Sequence, residues 1–413
     1  MTETTFFPNL QADHLQKIDD KTSWMVLSKS LQSILCKSRE DLLSNLENLR
    51  LRERDIKASD LFQKWGVFMS TSTERRQIVL DASYSGPGGE VSQHILKTDT
   101  LLVLEGLIVS AYILNAPFGY IYVPASEKAL IQHLEGIVET LYAEGVIHRK
   151  KTQDKWSFDL NIHYGEAGFV GVGDRCVLRS MDTTSKEHAL YGGVACVIQA
   201  ETAAILPQAL KMGPEKFSKT GTHDSVGHKV LSFNGHVNRV GFVEVPFGTS
   251  LKSVITESCR GVRGGWSHAQ MIFPNSAFSR PILKENLDDF CLSYGVFEAH
   301  NLSMGRGEMV VVNNSMDAKE ASLLMGAFFL QHIPFNACFM CHKALPWLMR
   351  LMENHIRLGE RTRQKDIKNI YNDLVTGCTC AFKENYAPLI HVLFHQVVED
   401  LEVAVPSEQT VGV

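Results

Sequence analysis

Four of the nine cysteines fall close together near the C-terminus, as Cys338-Phe-Met-Cys341 and Cys378-Thr-Cys380. Thiolates are soft ligands, and two pairs converging from separate segments would close a four-coordinate zinc site or an iron–sulfur centre. Zinc sites usually pair two tight turns of similar form, whereas these pairs differ in spacing. Spacing alone therefore leaves iron–sulfur, zinc and four buried free thiols all open. A second candidate is the loop Ser83-Tyr-Ser-Gly-Pro-Gly-Gly89. Gly86, Gly88 and Gly89 would let backbone N–H groups approach a phosphate, or they simply form a tight turn. Asp174-Arg175 reads as a solvated turn or, as the lesser alternative, a new polar site, and His163, His236 and His268 as surface or core-satisfied histidines without a cofactor role.

The elements that must position these residues follow from the rest of the chain. It has 413 residues, 44% of them apolar, enough for two to four cores at roughly 150 residues per domain. A net charge of -5 and no long Lys/Arg run exclude electrostatic binding to nucleic acid or anionic lipid. The start Met1-Thr-Glu-Thr-Thr-Phe-Phe-Pro lacks the pattern of a signal peptide. The apolar stretch 101–123 is broken by Glu105, Asn115 and Pro117, which argues against direct membrane insertion. The chain reads as soluble and cytoplasmic, where cysteines are free or metal-bound rather than paired in disulfides.

Residues 1 to about 57 carry Leu31, Ile34, Leu42, Leu43, Leu46 and Leu49 near helical spacing, which predicts a helical extension. Strands are predicted at 77–81, 119–123 and 158–163, alternating with helices at 101–114 and 127–144. That alternation implies a parallel or mixed sheet. Residues 229 to 283 hold strands at 230–233, 241–245 and 270–273 and a helix at 251–259, a small β-grasp-like module. After Val310-Val-Val312 the chain turns largely helical, with helices predicted at 365–374 and 388–401.

Several segments together carry a family resemblance. Cys341-His-Lys-Ala-Leu-Pro-Trp-Leu348 resembles the C-R-E-G-T-P-W-L run of the 51-kDa flavoprotein subunit of respiratory complex I and its kin in NAD-linked hydrogenases and formate dehydrogenases. Leu104-Glu-Gly-Leu-Ile-Val-Ser-Ala-Tyr112 and Gly119-Tyr-Ile-Tyr122 resemble L-x-E-G-M-I-I-x-x-Y and G-Y-I-Y of that family. Asn234-Gly-His-Val-Asn-Arg-Val-Gly241 and Val245-Pro-Phe-Gly-Thr249 resemble S-G-H-V-N-R-P-G and V-P-L-G-T of its β-grasp (SLBB) domain. Ala189-Leu-Tyr-Gly192, followed by Glu201-Thr202 and Pro207, resembles G-L-Y-G…N-N-V-E-T…V-P. The likeness spans roughly residues 75 to 405.

The resemblance implies an α/β multi-domain fold. A helical N-terminal extension (1–57) would precede a Rossmann-like flavoprotein domain (58–228), an SLBB β-grasp domain (229–300) and a C-terminal helical iron–sulfur domain (301–413). It implies a [4Fe–4S] cluster and a place among other subunits of an oxidoreductase complex, with membrane contact only through that complex. Cys338, Cys341 and Cys380 match three of the family's four cluster cysteines, and Phe335 stands at the first. Cys378 is the leading substitute ligand, followed by His342 and His332. The family's FMN loop, R-G-R-G-G-A-G-F-P-T-G, corresponds to a region reading Ala58-Ser-Asp-Leu-Phe-Gln-Lys-Trp-Gly-Val-Phe68, without its glycines. N-A-D-E-G-E-P-G becomes Asp81-Ala-Ser-Tyr-Ser-Gly-Pro-Gly88, the N-N pair becomes Ile198-Gln199, and G-E-E-T becomes Val172-Gly-Asp-Arg175. Four contact segments altered together imply that FMN and NADH binding are lost or strongly weakened. Gly86, Gly88, Gly89 and Glu201 are what would remain of the flavin and nicotinamide site.

Overall fold

The computed structural model describes residues 5–18, 21–71, 75–84, 86, 90–149, 156–166, 173–183, 188–275, 279–333, 337–359, 363–380, 386–387 and 389–395. Gly88, Gly89, Phe335 and the end of the predicted 388–401 helix lie outside these residues.

The first sheet is built from β1 (Arg76–Asp81), β2 (Phe118–Pro124), β3 (Asp159–Gly165), β4 (Ala189–Leu190) and β5 (Gly193–Gln199). Its order is β3-β2-β1-β5-β4, with β1, β2, β3 and β5 parallel and β4 antiparallel to β5. Alternate residues face opposite layers. Ile78, Leu80, Ile121, Val123 and Ile198 enter the large core. Val79, Tyr122, Ala195 and Val197 meet Val177, Leu178 and Met181 of the helix Asp174–Met181 on the other face. Helices on both faces make a doubly wound sheet of the Rossmann-like kind. The chain leaves β1 for β2 on one side and later returns to β5 on the other. The topological switch point is therefore at the carboxyl ends of β1 and β5.

The helix Thr100–Ile113 is apolar nearly all round, as a fully enclosed helix must be. It crosses the helix Ala200–Met212 at backbone contact. A Cβ on Gly106 would fall 1.6 Å from the Ala203 carbonyl oxygen. Gly106→Ala is expected to destabilise the chain by about 3 kcal/mol, the upper end for an overpacked core, since backbone rather than a side-chain tip must yield. Urea unfolding would measure this. The N-terminal helices Lys21–Leu35 and Arg39–Leu49 bury Leu27, Leu31, Ile34, Leu42, Leu46 and Leu49 in the same core.

The second sheet contains β6 (His228–Gly235), β7 (Gly241–Pro246), β8 (Ala269–Pro274), β9 (Ile282–Leu283) and β10 (Glu308–Asn313), in the order β7-β6-β10-β8-β9. β10 lies in the segment expected to open the helical region, yet it is the middle strand. It runs parallel to β6, and a parallel pair requires a long crossover, so the partner is distant in sequence. Met309 and Val311 point to the core shared with the helix Leu251–Ser258. Val310 and Val312 point to the opposite face, against the C-terminal helices Ala318–Gln331, Phe339–Leu358 and Gln364–Gly377. No described helix is long and apolar enough to cross a membrane.

Candidate metal centre and the filled cleft

The helices Phe339–Leu358 and Gln364–Gly377 form an antiparallel pair, so the start of the first lies beside the end of the second. Cys338 is the N-cap of the first, Cys341 lies in its first turn, and Cys378 is the C-cap of the second. Cys380 follows two residues on. The sulfurs of all four lie within 4.8 Å of one another. Cys338 Sγ is 3.2 Å from Cys378 Sγ and 3.6 Å from Cys341 Sγ. Cys341 Sγ is 3.3 Å from Cys378 Sγ and 3.4 Å from Cys380 Sγ. Cys378 Sγ and Cys380 Sγ are 3.7 Å apart. Cys378 is thus the fourth sulfur. His332 instead bonds the Phe328 carbonyl at 2.9 Å, and His342 is exposed.

The four thiols hold their protons unequally. Its hydrogen bond with Cys341 pulls the Cys380 thiol down to about 4, against burial. The same bond, with burial, pushes Cys341 up. Burial works against ionising Cys338, but the Cys341 N–H and the Cys378 thiol hold it below the ordinary thiol range. Burial raises Cys378. Protons are thus divided unequally among four touching sulfurs, and all four become thiolates together only around a metal. Such a donor set suits iron–sulfur and zinc chemistry. Sequence reasoning missed Tyr386, whose buried hydroxyl lies 3.4 Å from Cys341 Sγ and donates to Cys378 Sγ at 3.6 Å. Its position six residues beyond Cys380 carried no motif to flag it.

The switch point of the first sheet is occupied by the protein's own charges. At the end of β1, Asp81 pairs with Arg306 and accepts from Gln199 Nε2 at 3.0 Å and from the Ser83 N–H at 2.8 Å. Arg306 also donates to the Ser83 carbonyl at 3.2 Å. At the end of β5, the Gln199 N–H donates to the Glu53 carboxylate at 3.1 Å. Glu53 also meets Lys64 Nζ at 3.3 Å, and Lys64 lies 3.2 Å from Asp174 and 3.9 Å from Asp55. An open cleft of about 800 Å³ flanks this cluster, lined among others by Arg50, Asp55, Lys64, Asp174, His188 and Cys196.

Several expected positions shift accordingly. The loop Glu53-Arg54-Asp55 reaches the end of β5, and the 58–68 segment lies beside it as the helix Leu61–Ser70, capped by Asp60, whose Lys64 donates to the Val197 carbonyl at 2.7 Å. Asp174 is no solvated turn residue; it opens a helix and pairs with a mostly buried lysine. Glu201 is buried, paired with Lys229 and accepting from the Val230 N–H at 2.7 Å. Gly86 is buried with a positive φ of 116°. His163 lies 3.4 Å from the Tyr191 hydroxyl, and His236 accepts from the Asn313 N–H at 3.0 Å.

Burial raises Asp55 from 3.8 to about 6, with Lys64 opposing. A carboxyl raised on folding binds its proton more tightly in the native state, so stability falls as pH rises from about 4 to about 6. Asp55→Asn should abolish that fall, worth at most about 3 kcal/mol. Urea unfolding at pH 4.5 and pH 7 would show it.

A doubly wound α/β sheet, a mixed sheet and a helical hairpin that brings four cysteine sulfurs together define a mixed α/β protein with a group of side chains able to hold a metal ion. No protein-family profile matches the chain. It is 23% identical over 424 residues to an NADH-quinone oxidoreductase subunit of Rickettsia conorii, covering 99% of both chains. The corresponding Rhodobacter capsulatus protein is 24% identical over 92% of this chain and 90% of its own. The mitochondrial 51 kDa subunit of NADH-ubiquinone oxidoreductase from Aspergillus niger is 25% identical, over 90% of this chain and 78% of its own. The fold matches a chain of an NAD+-reducing [NiFe]-hydrogenase in its H2-reduced state, with a TM-score of 0.71, 17% identity and 90% of this chain covered. The chain spans 64% of that hydrogenase chain's length. The chain is thus similar, at low identity and over nearly its whole length, to these oxidoreductase subunits.

Proposed function

We propose that the chain is an electron-transfer subunit of the complex I flavoprotein type that retains an iron–sulfur centre and has lost FMN and NADH binding. Convergence of Cys338, Cys341, Cys378 and Cys380 carries the first half of this reading. Tunnelling needs only position and potential, so a thiolate-bound iron centre can serve without a flavin beside it. Relatives that belong to multi-subunit oxidoreductases support a home among partner subunits that supply donor and acceptor. The division at about residues 57 and 228 belongs to the same reading, with the second sheet as a β-grasp module that runs past the expected boundary at 300 to include β10.

Filling of the switch point supports the second half. A βα turn normally offers its free N–H groups to a phosphate. Here the Gln199 N–H is taken by the carboxylate of Glu53, and Asp81 adds another buried anion nearby. Both carboxylates, with their partners Arg306 and Lys64, occupy the place where free N–H groups would attract a phosphate. The same plug favours a second reading, a scaffold subunit without cofactor.

Anaerobically purified protein separates these. The expected result is broad visible absorption from iron, no change on adding FMN, and no response to NADH. Bleaching of a yellow chromophore by NADH would overturn the loss of flavin. Colourless, metal-free protein that still binds a partner would establish the scaffold.

A further inference from the structure

The sulfur spacing sets the size of what fits among the four cysteines. A single ion held tetrahedrally by thiolates at a metal–sulfur distance of about 2.3 Å places each pair of sulfurs about 3.8 Å apart. Five of the six separations here are 3.2, 3.3, 3.4, 3.6 and 3.7 Å, and the sixth is within 4.8 Å. A four-iron cage puts a different iron under each thiolate with inorganic sulfides between, so its cysteine sulfurs stand roughly 6 Å apart. These sulfurs already touch, leaving no volume for sulfide. We infer that the centre holds one tetrahedrally coordinated ion, iron or zinc, rather than a four-iron cage. This inference rests on the reading that the four thiolates bind metal.

The surroundings hold that size. Cys341 and Cys378 are buried in one core with Leu345, Leu374, Tyr386 and Leu389. The Tyr386 hydroxyl contacts two of the sulfurs directly. Spreading the sulfurs by more than 2 Å, as roughly 6 Å separations demand, would have to displace that ring from a closely packed interior. The Cys378-Thr-Cys380 step acts in the same direction. Side chains two apart share one side of an extended segment, and here both sulfurs reach a common point. A spacing this short suits two ligands of one ion. Zinc in such a site is redox-inert and structural, whereas only iron could carry an electron.

The test uses the full chain purified anaerobically, then loaded separately with ferrous iron alone, zinc alone, or ferrous iron with sulfide. Metal and acid-labile sulfide are counted, and the metal's X-ray absorption fine structure is recorded. The expected result is about one metal per chain with no labile sulfide, about four sulfur neighbours near 2.3 Å and no short metal–metal distance. One iron as isolated supports the inference and leaves the electron-transfer reading standing. One zinc supports the inference and overturns that reading. About four irons with a matching count of labile sulfide overturns the inference and leaves the reading intact. No metal under any loading overturns both. Cys380→Ser should reduce retained metal at least tenfold, whereas Cys196→Ser, at a buried cysteine in the first sheet, should leave it unchanged.

Discussion

Replacing Arg306 with alanine is expected to destabilise the protein by about 3–5 kcal/mol, the range for breaking a buried ion pair from one side. Arg306 is 2% exposed and Asp81 0%. Without the guanidinium, the Asp81 carboxylate stays in the interior with hydrogen bonds from Gln199 and Ser83 but no countercharge. Ser83 loses a donor to its carbonyl at the same time. The size of the effect reflects the stranded anion rather than the net worth of the pair. Combining Arg306→Met with Asp81→Asn should therefore recover most of the loss, because the neutral amide oxygen still accepts from Ser83. Urea unfolding at pH 7 would compare the three proteins. A single Arg306→Ala change costing less than about 1 kcal/mol, the range of exposed pairs, would show that water reaches the switch point.

Removing the metal should have the second large effect. Replacing groups that merely orient ligands already weakens metal sites by 10–100-fold, so loss of a ligand itself should exceed about 100-fold. Cys341→Ser is the sharpest choice, since Cys341 lies within 3.6 Å of the three other sulfurs. Structural zinc contributes about 10–16 kcal/mol in small domains that fold around it. Here the apolar wall beside the hairpin carries part of that burden. The expected outcome is local melting: new protease cuts between residues 339 and 380, lost helical signal, and an intact first sheet. Strong chelators should reproduce this in the unaltered protein, and re-added metal should reverse it. Serine in a buried site is itself unfavourable, so Cys196→Ser serves as the comparison, with stability loss but no change in metal content.

Much of the scaffold was legible in the sequence because its signals are local. The run Gln77-Ile-Val-Leu-Asp81 gave a strand because it is apolar and bounded by turn residues. The parallel ladder followed from alternation with helices 101–114 and 127–144. The four cysteines were legible by residue type, and Cys378, expected as the leading substitute ahead of His342 and His332, does lie with the other three sulfurs within 4.8 Å. Long-range pairings escaped. β10 pairs with its neighbour β6 although β7, β8 and β9 intervene in sequence, and nothing within Val310-Val-Val312 says which strand it will accompany. Arg306 meets Asp81 across 225 positions. Glu53 and Asp55 fell at the end of the segment expected as a helical extension, and their role emerges only from the Gln199 N–H and Lys64 that they meet beside β5. A buried charge is visible in sequence only when its partner is known.

The position of β10 ties the two ends of the molecule to one rod. Arg306, two residues before it, pairs with Asp81 at the switch point, and Val310 and Val312 form the wall on which the cysteine hairpin leans. The hairpin cut out alone would leave that wall's partners facing water, so the metal site is not a portable cassette. Loosening at either end would reach the other through a single stiff segment.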